Sequence, residues 1–383
     1  MNLTSNPDGR IRVDIQGHRP PEGSPPVPLK FANGSGFQSE LRRRVDAFFE
    51  RSGRRRRDCP QMYVKTAVIM LAFALSYALL VFVVDTWLLA IPLAVLLGLT
   101  TALIGFNIMH DGGHEAYSRS PRINRLMASS LDMIGGSSYL WHWKHGVFHH
   151  TYPNVNGHDA DLDLGIFGRL VPHQRRRAYQ RWQHWYIWPL YGALAIKWHL
   201  FDDFHDLITG RIGQLPFPRP RGRDLGILVA GKLVFFGLAF GIPMLLHAPW
   251  VVVAAYGVTA FVLGMALSLV FQLAHCVEAA EFPLPNPETG RMERPWAEHQ
   301  VGTTVDFLRH SRVASWLLGG LNFQIEHHLF PRISHVNYPA MSKVVEETCR
   351  EFGVQYREHP TLRAGIGSHT RWLRQMGLPT TPA

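Results

Sequence analysis

Four long apolar segments dominate the hydrophobic pattern of the chain, at residues 66–84, 87–109, 225–246 and 250–271. Each segment is long enough to cross about 30 Å of hydrocarbon as a helix. Only Asp85 and Thr86 separate the first two segments, and only residues 247–249 separate the last two. The pattern therefore predicts an all-α integral membrane protein whose four transmembrane helices form two hairpins.

The distribution of basic residues predicts how these helices are oriented. The short links inside the hairpins contain no Lys or Arg, whereas residues 42–44, 54–57 and 144–223 and the C-terminal tail are basic. By the positive-inside rule these basic segments, and with them both termini, are cytosolic. Residues 1–60 are polar and do not have the pattern of a cleavable leader. We expect a cytosolic N-terminal segment over residues 1–60 and a membrane domain over residues 61–383.

Two features depart from a simple four-helix pattern. Lys232 interrupts the third apolar segment, where we expect it to face the bundle or to extend to the interface. Residues 182–201 are rich in Trp and Tyr around a modest apolar run that Lys197 and His199 break. This composition predicts a helix that lies in the membrane interface. The alternative is a fifth span, which would move the later histidines to the other side of the membrane.

Composition narrows the class of protein. The 383 residues are 46% hydrophobic and carry a net charge of +10. This positive charge suits binding to nucleic acid or to anionic lipid headgroups, and the long apolar segments favour lipid. The three cysteines, Cys59, Cys276 and Cys349, include no C-x-x-C pair. This argues for reduced thiols and against disulfides, iron–sulfur clusters or a zinc ribbon. Redox chemistry would therefore need other ligands.

Histidines are abundant, and eight of the 21 form groups near the predicted cytosolic helix ends. The groups are His110 with His114, His145 with His149 and His150, His275 alone, and His327 with His328. A spacing of four places His110 and His114 on one helical face. On an α-helix His150 would point about 100° away from His149, so the two neighbours could serve two metals. The predicted topology brings all four groups to one membrane face.

Eight imidazoles are more than one metal ion needs. Four would saturate a tetrahedral zinc site, and imidazole ligands alone do not distinguish iron, zinc, copper and nickel. Eight neutral nitrogen donors naturally hold two ions with open coordination positions. Carboxylates beside the histidines are candidates for orienting the rings through their second nitrogen; they are Asp111, Glu115, Asp159, Asp161, Glu278 and Glu326.

The isolated histidines are predicted to be structural. They are His18, His184, His205, His247, His335, His359 and His369. Three others, His142, His158 and His299, are intermediate cases. His158, between a glycine and two aspartates at positions 159 and 161, is the strongest of these, although we predict that it does not bind metal.

Three motifs carry the clustered histidines: HDGGH at residues 110–114, HGVFHH at residues 145–150 and QIEHH at residues 324–328. This set resembles the three histidine boxes of membrane fatty acid desaturases. Gln324 at the start of the last box is similar to the front-end branch and its bacterial acyl-CoA or acyl-lipid relatives. The resemblance covers roughly residues 31–356. It implies a cytosolic helical cap that holds a di-iron site above four transmembrane helices.

The resemblance also implies a reaction and its participants. Two iron ions and O2 would remove two hydrogen atoms from neighbouring carbons of a fatty acyl chain, on CoA or lipid, and leave a cis double bond. Gln324 and Asn322 would lie beside the ligands, Gln324 next to a water or the substrate. Candidates for lining the acyl tunnel are Trp141, Trp143, Phe148, Trp316 and Phe323. Packing against the bundle is an equally good account of each aromatic residue.

The sequence contains no evident source of electrons for O2. It has no His-Pro-Gly-Gly run of a fused cytochrome b5 domain, no cysteine set for an iron–sulfur cluster and no dinucleotide-binding glycine motif. An external ferredoxin, rubredoxin, flavodoxin or cytochrome b5 is therefore implied, docking on basic residues such as 175–177, Arg309 and Arg312. Lipid headgroups or an acyl carrier's phosphates are alternative partners of these arginines. We expect no nucleic-acid partner.

Two other functions stay open. The same scaffold could hydroxylate or epoxidise an acyl chain or form an acetylenic bond, because small shifts in substrate position separate these outcomes. A zinc-dependent membrane hydrolase would need fewer histidines and a general-base carboxylate near a bound water. Metal content and O2 dependence distinguish these classes.

Overall fold

The computed structural model describes residues 29–34 and 36–379. His18 and the first part of the predicted N-terminal segment therefore lie outside the described residues. Within them the chain is mostly helical, with four very short strands.

Four helices are long and apolar enough to cross a membrane, which confirms the predicted number. They cover Pro60–Phe82, Trp87–Gly113, Gly222–Met244 and Pro249–His275, called here the first to fourth spans. Pro60 and Pro249 occupy the first helical position, where the missing N–H is not needed. The second and fourth spans continue beyond their predicted ends, so each carries a histidine group out of the apolar region.

Glycines allow the spans to pack closely. A Cβ atom on Gly98 of the second span would lie 2.6 Å from the Thr259 carbonyl oxygen of the fourth span. A Cβ atom on Gly264 would lie 2.6 Å from the Gly192 carbonyl oxygen. The first span packs against the second. Side chains at Gly98 and Gly264 would therefore force the bundle apart.

Lys232 of the third span is buried and faces the bundle. Its ammonium group lies 2.6 Å from the Asp203 carboxylate and donates to the Gly135 carbonyl oxygen at 2.7 Å. A buried charge needs such partners because an unpaired one would be strongly destabilising. The pair ties the third span to the polar segment that precedes it.

The segment between the second and third spans folds into short helices. The α-helices are Pro121–Ala128, Ser130–Met133, Ser138–Trp141, Gln183–Gly192, Leu194–Lys197 and Asp203–Thr209. The π-helices are His142–His149 and Trp198–Asp202, and the 3-10 turns are Ala160–Leu162 and Ala178–Trp182. The predicted interfacial helix over residues 182–201 is thus divided into shorter pieces. Among the described residues no fifth helix has the length and hydropathy of a span.

The remaining helices lie outside the spans. They are Phe37–Ser52, Trp296–Thr303, Arg312–Leu317, Gln324–Leu329, Tyr338–Glu351 and Leu362–Gly377, with a 3-10 turn at His335–Asn337. Phe37, Leu41 and Val45, spaced by four, form one buried face of the first of these helices. This face packs in one core with Met341 and Val345. The N-terminal helix thereby covers the region that carries the last histidine motif.

Two small sheets complete the fold. Arg211–Ile212 pairs antiparallel with Leu215–Pro216, and Asp306–Phe307 pairs parallel with Glu358–His359. The second sheet holds Asp306 beside the helix Gln324–Leu329, where its carboxylate accepts the Ile325 N–H at 3.0 Å. This strand therefore fixes the helix that carries the last histidine motif.

Candidate metal centre

The first histidine motif continues the second span beyond its apolar part. A π-helical stretch over Ile104–Met109 leads into the short α-helix His110–Gly113. The His114 N–H closes this turn by donating to the His110 carbonyl oxygen at 3.1 Å. The two imidazole rings lie 4.7 Å apart, centroid to centroid. The helix thus presents both rings on one face, as their spacing predicts.

The second motif departs from the α-helix assumed in the sequence analysis. His145 and His149 lie in the π-helix His142–His149, and His150 follows it. Hydrogen bonds from residue i to residue i+5 widen a π-helix, and such segments are frequent at functional sites. The His145 centroid lies 5.0 Å from His149 and 4.9 Å from His150. The His149 and His150 rings lie 5.7 Å apart at an interplanar angle of 84°, so the two neighbours still diverge, although on a π-helix rather than on the assumed α-helix.

The last two groups come from the fourth span and the helix Gln324–Leu329. His275 is the final residue of the fourth span. His327 and His328 lie in a short helix whose six residues are all buried. The His275 and His328 ring centroids are 4.9 Å apart, and those of His150 and His328 are 4.4 Å apart. The four groups therefore meet in space.

The eight predicted ligands form overlapping sets in which the ligand atoms lie within 4.8 Å of one another. The sets are His110, His114, His145 and His327; His149, His275 and His328; and His150, His327 and His328. A further set combines His149 with the carboxylates of Asp159 and Asp161. Because His327 and His328 are shared between sets, the histidines form one continuous centre.

Each of the eight histidines has a buried ring nitrogen without a hydrogen-bond partner among the described residues. These atoms are His110 Nε2, His114 Nε2, His145 Nε2, His149 Nε2, both nitrogens of His150, His275 Nδ1, His327 Nε2 and His328 Nε2. Leaving a buried polar atom unpaired costs about 1–3 kcal/mol, so such atoms are rare. Their convergence fits metal ions, which bind neutral imidazole nitrogens.

Several rings are fixed through their other nitrogen. The Asp159 carboxylate lies 2.9 Å from His149 Nδ1, and Gln300 Oε1 lies 2.9 Å from His328 Nδ1. The Gln300 amide also donates to the His150 carbonyl oxygen at 3.0 Å. Partners of this kind set the tautomer and orientation of metal-binding imidazoles. Gln300 therefore positions two of the histidine groups at once.

The electrostatics of the centre favour neutral imidazoles. Burial, reinforced by the neighbouring imidazoles, lowers the pKa of His114, His150 and His327 well below the ordinary value. His149 is the exception: burial alone would lower its pKa, but the Asp159 carboxylate raises it. Neutral imidazole is the form that ligates metal. The pocket thus stabilises the ligating form of most of these rings.

The carboxylates that flank the histidines in sequence lie at different distances from the rings. Asp161 lies 4.0 Å from both His145 Nδ1 and His149 Nδ1, and Lys144 pairs with it at 3.2 Å. Glu115 instead pairs with Arg332 at the surface. Among the described residues, only the carboxylates at 159 and 161 thus lie within 4.0 Å of a ring nitrogen of the eight histidines.

Other predicted neighbours have partners away from the eight rings. The Asp111 carboxylate lies 2.9 Å from His335 Nδ1, and Glu278 pairs with Arg371 at 2.7 Å. Asn322 donates to the Leu308 carbonyl oxygen, and Glu326 accepts from the Tyr356 hydroxyl. Gln324 is buried in the first turn of its helix. The roles predicted for these residues at the centre stay predictions.

Trp141 is the predicted tunnel residue with the closest relation to the centre. Its ring lies 4.8 Å from His145, 5.0 Å from His114 and 5.7 Å from His110, between centroids. The other four tunnel candidates have different neighbours. Trp143 and Phe148 lie beside each other, with ring centroids 6.1 Å apart. Trp316 lies under the Lys65 ammonium group, and Phe323 belongs to the core beneath the N-terminal helix. Their role in a tunnel stays a prediction.

An apolar cavity of about 430 Å³ lies between the spans. It extends from Ile134 and His199 to Asp85 and Trp250. Asp85 lies in the link between the first and second spans, and Trp250 lies just after the link between the third and fourth spans. Its walls include Phe73, Tyr77, Leu97, Phe235 and Tyr256, and none of the five predicted tunnel residues lines it. Ile134 packs in the same cluster as Trp141, so one end of the cavity approaches the histidines.

Four of the histidines outside the eight contact other protein groups. His369 contacts the Tyr191 hydroxyl and the Cys276 carbonyl oxygen, and His335 contacts Asp111 and Lys65. His299 lies 3.0 Å from the Pro153 carbonyl oxygen, and the His158 ring packs against Tyr152. Within the described residues none of these four belongs to a ligand set.

Sequence reasoning missed two neighbours of the centre. Gln300 orients His328, and the Tyr338 hydroxyl lies 3.5 Å from His327 Nδ1. The sequence signal for Gln300 was the polar pair His299-Gln300, which lies in a segment that the structure buries. A buried amide needs hydrogen-bond partners, so such a pair indicates nearby polar groups.

Comparisons with known proteins identify the family of this chain. The sequence model of the family described as fatty acid desaturase matches residues 85–360. The chain is 37% identical over 351 residues to an sn-1 linoleoyl-lipid 6-desaturase of Synechocystis sp. (strain ATCC 27184 / PCC 6803 / Kazusa), covering 91% of this chain and 98% of that protein. It is 34% identical over 351 residues to an acyl-lipid (8-3)-desaturase of Physcomitrium patens, covering 91% and 73% respectively. With its four spans and its histidine motifs, this chain belongs to the fatty acid desaturase family and is a membrane fatty acyl desaturase.

Proposed function

We propose that the chain binds two iron ions through its eight clustered histidines and uses O2 and two electrons to introduce a cis double bond into a lipid-linked acyl chain. The observation that carries this proposal is the convergence of unpaired, buried ring nitrogens from four chain segments. His110, His114, His145 and His327 would hold one ion. The other would be held by His149, His275 and His328, with His150 beside them.

Iron suits this reaction better than the other metals that imidazole accepts. A methylene carbon has no proton that a side-chain base removes at neutral pH, so acid–base catalysis does not suffice. When bound, an iron pair supplies the O2-dependent oxidising power that cleavage of such a C–H bond requires. Elemental analysis should find about two iron atoms per chain, and one zinc without iron in protein protected from iron loss would contradict the proposal.

The protein's own part is orientation and exclusion of water. Asp159 and Gln300 hold the His149 and His328 rings, and Trp141 covers the rings of the first set. Seven of the eight imidazoles are buried, and His145 is 14% exposed. A closed site of this kind protects a reactive centre from side reactions with water. The acyl chain must therefore reach the centre through a protein-lined path.

We place the far part of the acyl chain in the apolar cavity between the spans. Its end at Ile134 is close to Trp141, and its walls are apolar. Ala255→Phe would narrow this cavity and should lower turnover of longer acyl chains relative to shorter ones. Ala254→Phe is the matched control, because residue 254 is exposed and does not line the cavity. An unchanged chain-length preference in Ala255→Phe would remove the cavity from the substrate path.

The proposed substrate is an unsaturated acyl chain on a membrane lipid, with the new bond on its carboxyl side. The names of two relatives, linoleoyl-lipid 6-desaturase and acyl-lipid (8-3)-desaturase, support this choice. Expression in a host that lacks such an activity, followed by mass-spectrometric location of double bonds, tests it. A new cis bond in lipid-linked chains is expected. A hydroxylated or epoxidised product would overturn the reaction type, and products confined to acyl-CoA would overturn the carrier.

We place the histidine centre and both termini on the cytosolic side. The basic segments flank the ends of the spans that carry histidines, whereas residues 83–86 and 245–248 link the opposite ends without a basic side chain other than His247. Cysteines introduced at Lys144 and at Asp85 should react with an impermeant reagent from opposite sides of sealed vesicles. Labelling of both from one side would contradict this orientation.

The electrons are proposed to come from a separate carrier of the ferredoxin, rubredoxin, flavodoxin or cytochrome b5 type. Arg309 is nearly buried and paired with Glu346 and Glu358, so it is a poor docking residue. Arg175 and Arg312 are exposed and make no ion pair within the described chain. If they attract an acidic carrier, reconstituted turnover should fall as salt shortens the Debye length below about 10 Å. Full turnover with NADPH alone would show an internal redox centre.

A further inference from the structure

We propose that a groove beside the third span is a binding site for one anionic phospholipid, separate from the histidine centre. The groove has a volume of about 590 Å³. One wall is formed by the helices Pro121–Ala128 and Ser130–Met133, and the other by the first half of the third span. The proposal requires the spans to lie in a bilayer but does not depend on the reaction at the metal centre.

The polarity of both walls changes along the groove. In each wall the arginines come first in the chain, and apolar residues follow them. Arg122 and Arg125 line the first wall before Met133. Arg223 lines the second wall, ahead of Ile227 and Val234. The arginine end of the groove is therefore strongly basic, whereas the other end is lined by apolar residues such as Met133 and Val234 together with one carboxylate, that of Asp132. Such a gradient along one groove matches an amphiphile with a charged head and a hydrocarbon chain.

The three arginines are available for an anion. All three are exposed, and none forms an ion pair within the described residues. Arg223 is the second residue of the third span, whose N-terminal N–H groups have no side-chain cap and add positive potential. Asp224 in the same turn offsets part of this potential, so the arginines carry most of the expected affinity.

A carboxylate fixes which end of the groove receives the phosphate. Asp132 lines the groove and is buried against Gly231, whose Cβ would lie 2.5 Å from the Asp132 Cβ. Gly231 is eight residues beyond Arg223, which corresponds to about 12 Å along a helix. The Asp132 carboxylate would repel a phosphate at that depth. The headgroup therefore belongs at the arginine end and the hydrocarbon alongside Ile227 and Val234.

The position of the groove selects a lipid rather than a peptide or a second copy of the chain. Arg223 starts a span-length helix, so it lies where a bilayer places its phosphate groups. The apolar part follows the same helix toward the hydrocarbon. Arginines at such a boundary attract the anionic lipids of the cytosolic leaflet. The occupant is accordingly a phosphodiester lipid with net negative charge, such as phosphatidylglycerol.

Native mass spectrometry of the purified, iron-loaded protein tests the site with phosphatidylglycerol and phosphatidylcholine as probes. The parent should retain phosphatidylglycerol preferentially. The triple variant Arg122→Gln, Arg125→Gln, Arg223→Gln should lose about tenfold or more of this preference, since each basic residue near the surface contributes to it. The triple variant Arg42→Gln, Arg363→Gln, Arg374→Gln removes equal charge from exposed positions elsewhere and should retain it.

A second pair of variants tests the apolar part without changing charge. Ala230→Trp fills the groove and should weaken phosphatidylglycerol retention, whereas Val229→Trp, which is exposed and does not line the groove, should not. Equal phosphatidylglycerol retention by the parent, the triple variant of Arg122, Arg125 and Arg223, and Ala230→Trp would overturn the site. Equal binding of phosphatidylglycerol and phosphatidylcholine by the parent would also overturn it. Iron content and turnover are measured on the same samples, so failure of the desaturase proposal is scored separately.

Discussion

His275 and His369 are both buried and both lie beside Cys276, yet their ring environments differ. His369 Nε2 lies 2.8 Å from the Tyr191 hydroxyl, and its Nδ1 lies 2.6 Å from the carbonyl oxygen of Cys276, the residue after His275. His275 Nδ1 has no partner among the described residues and lies in a ligand set with His149 and His328.

The difference teaches that burial does not identify a metal ligand. The exposed fractions of the two residues are 1% for His275 and 0% for His369. What separates them is whether both ring nitrogens have protein partners. A satisfied buried imidazole joins elements of the fold, whereas an unsatisfied one that faces other unsatisfied imidazoles requires a partner that the chain does not supply. The predictions below test this distinction.

The largest effect is expected from removing an unsatisfied ring. His328→Ala should lower iron content to about one atom or less and reduce turnover by at least about 100-fold, because the ligands act as a unit. His149→Ala should behave in the same way. Iron analysis and lipid profiling of the membrane-inserted protein measure both effects. His359→Ala is the control: its Nε2 also lacks a partner among the described residues, but it belongs to no ligand set there, so the variant should match the parent. Full turnover in His328→Ala would exclude that ring from the centre.

A smaller effect is expected from removing an orienting partner. Gln300→Leu keeps all eight histidines but removes the hydrogen-bond acceptor for His328 Nδ1. It should weaken iron binding about 10- to 100-fold. Chelator competition measures this affinity. Gln300→Glu keeps an acceptor and should restore part of it. If Gln300→Leu and Gln300→Glu bind iron equally, the hydrogen bond does not position the ring.

Removing the metal should affect only the unsatisfied region. Amide hydrogen exchange of the chelator-treated protein should increase in residues 324–329 and 145–150, whose backbone positions the rings. Residues 366–370, around the satisfied His369, should keep the exchange of the iron-loaded protein. A uniform increase along the chain would mean that the metal stabilises the whole fold and would weaken the contrast.

The smallest effect is expected at the satisfied ring. His369→Leu leaves the Tyr191 hydroxyl and the Cys276 carbonyl oxygen without their partner, which should reduce the free energy of unfolding by about 1–3 kcal/mol. Thermal denaturation in detergent measures this loss. Iron content should stay at the parent value, and loss of iron would place His369 among the groups that support the centre.

Much of the fold and the histidine sets could be predicted from sequence because they depend on local patterns. Apolar runs specify spans whatever the rest of the chain does, and clustered histidines at the ends of spans converge once those spans pack. The geometry within the second motif could not be predicted, because a π-helix differs from an α-helix by hydrogen-bond register and not by residue type.

The partners of the rings were harder to predict because they come from distant positions. Asp159 lies ten residues after His149 and was a candidate, whereas Gln300 reaches His328 from a separate helix. Asp111 adjoins a ligand in sequence but turns to His335 instead. Neighbours along a chain share a helix but point to different faces, so proximity in sequence is a weak guide to orientation.

The wide separation of the ligands along the chain has a consequence for biosynthesis. His110 is translated long before His328, and the third and fourth spans lie between them. Neither set proposed to hold an ion is complete until the helix Gln324–Leu329 has left the ribosome, by which time all four spans have been made. If the centre holds iron as proposed, iron loading is the last step of maturation. A cell short of iron would accumulate inserted chains that can still be activated, rather than chains that fail to insert.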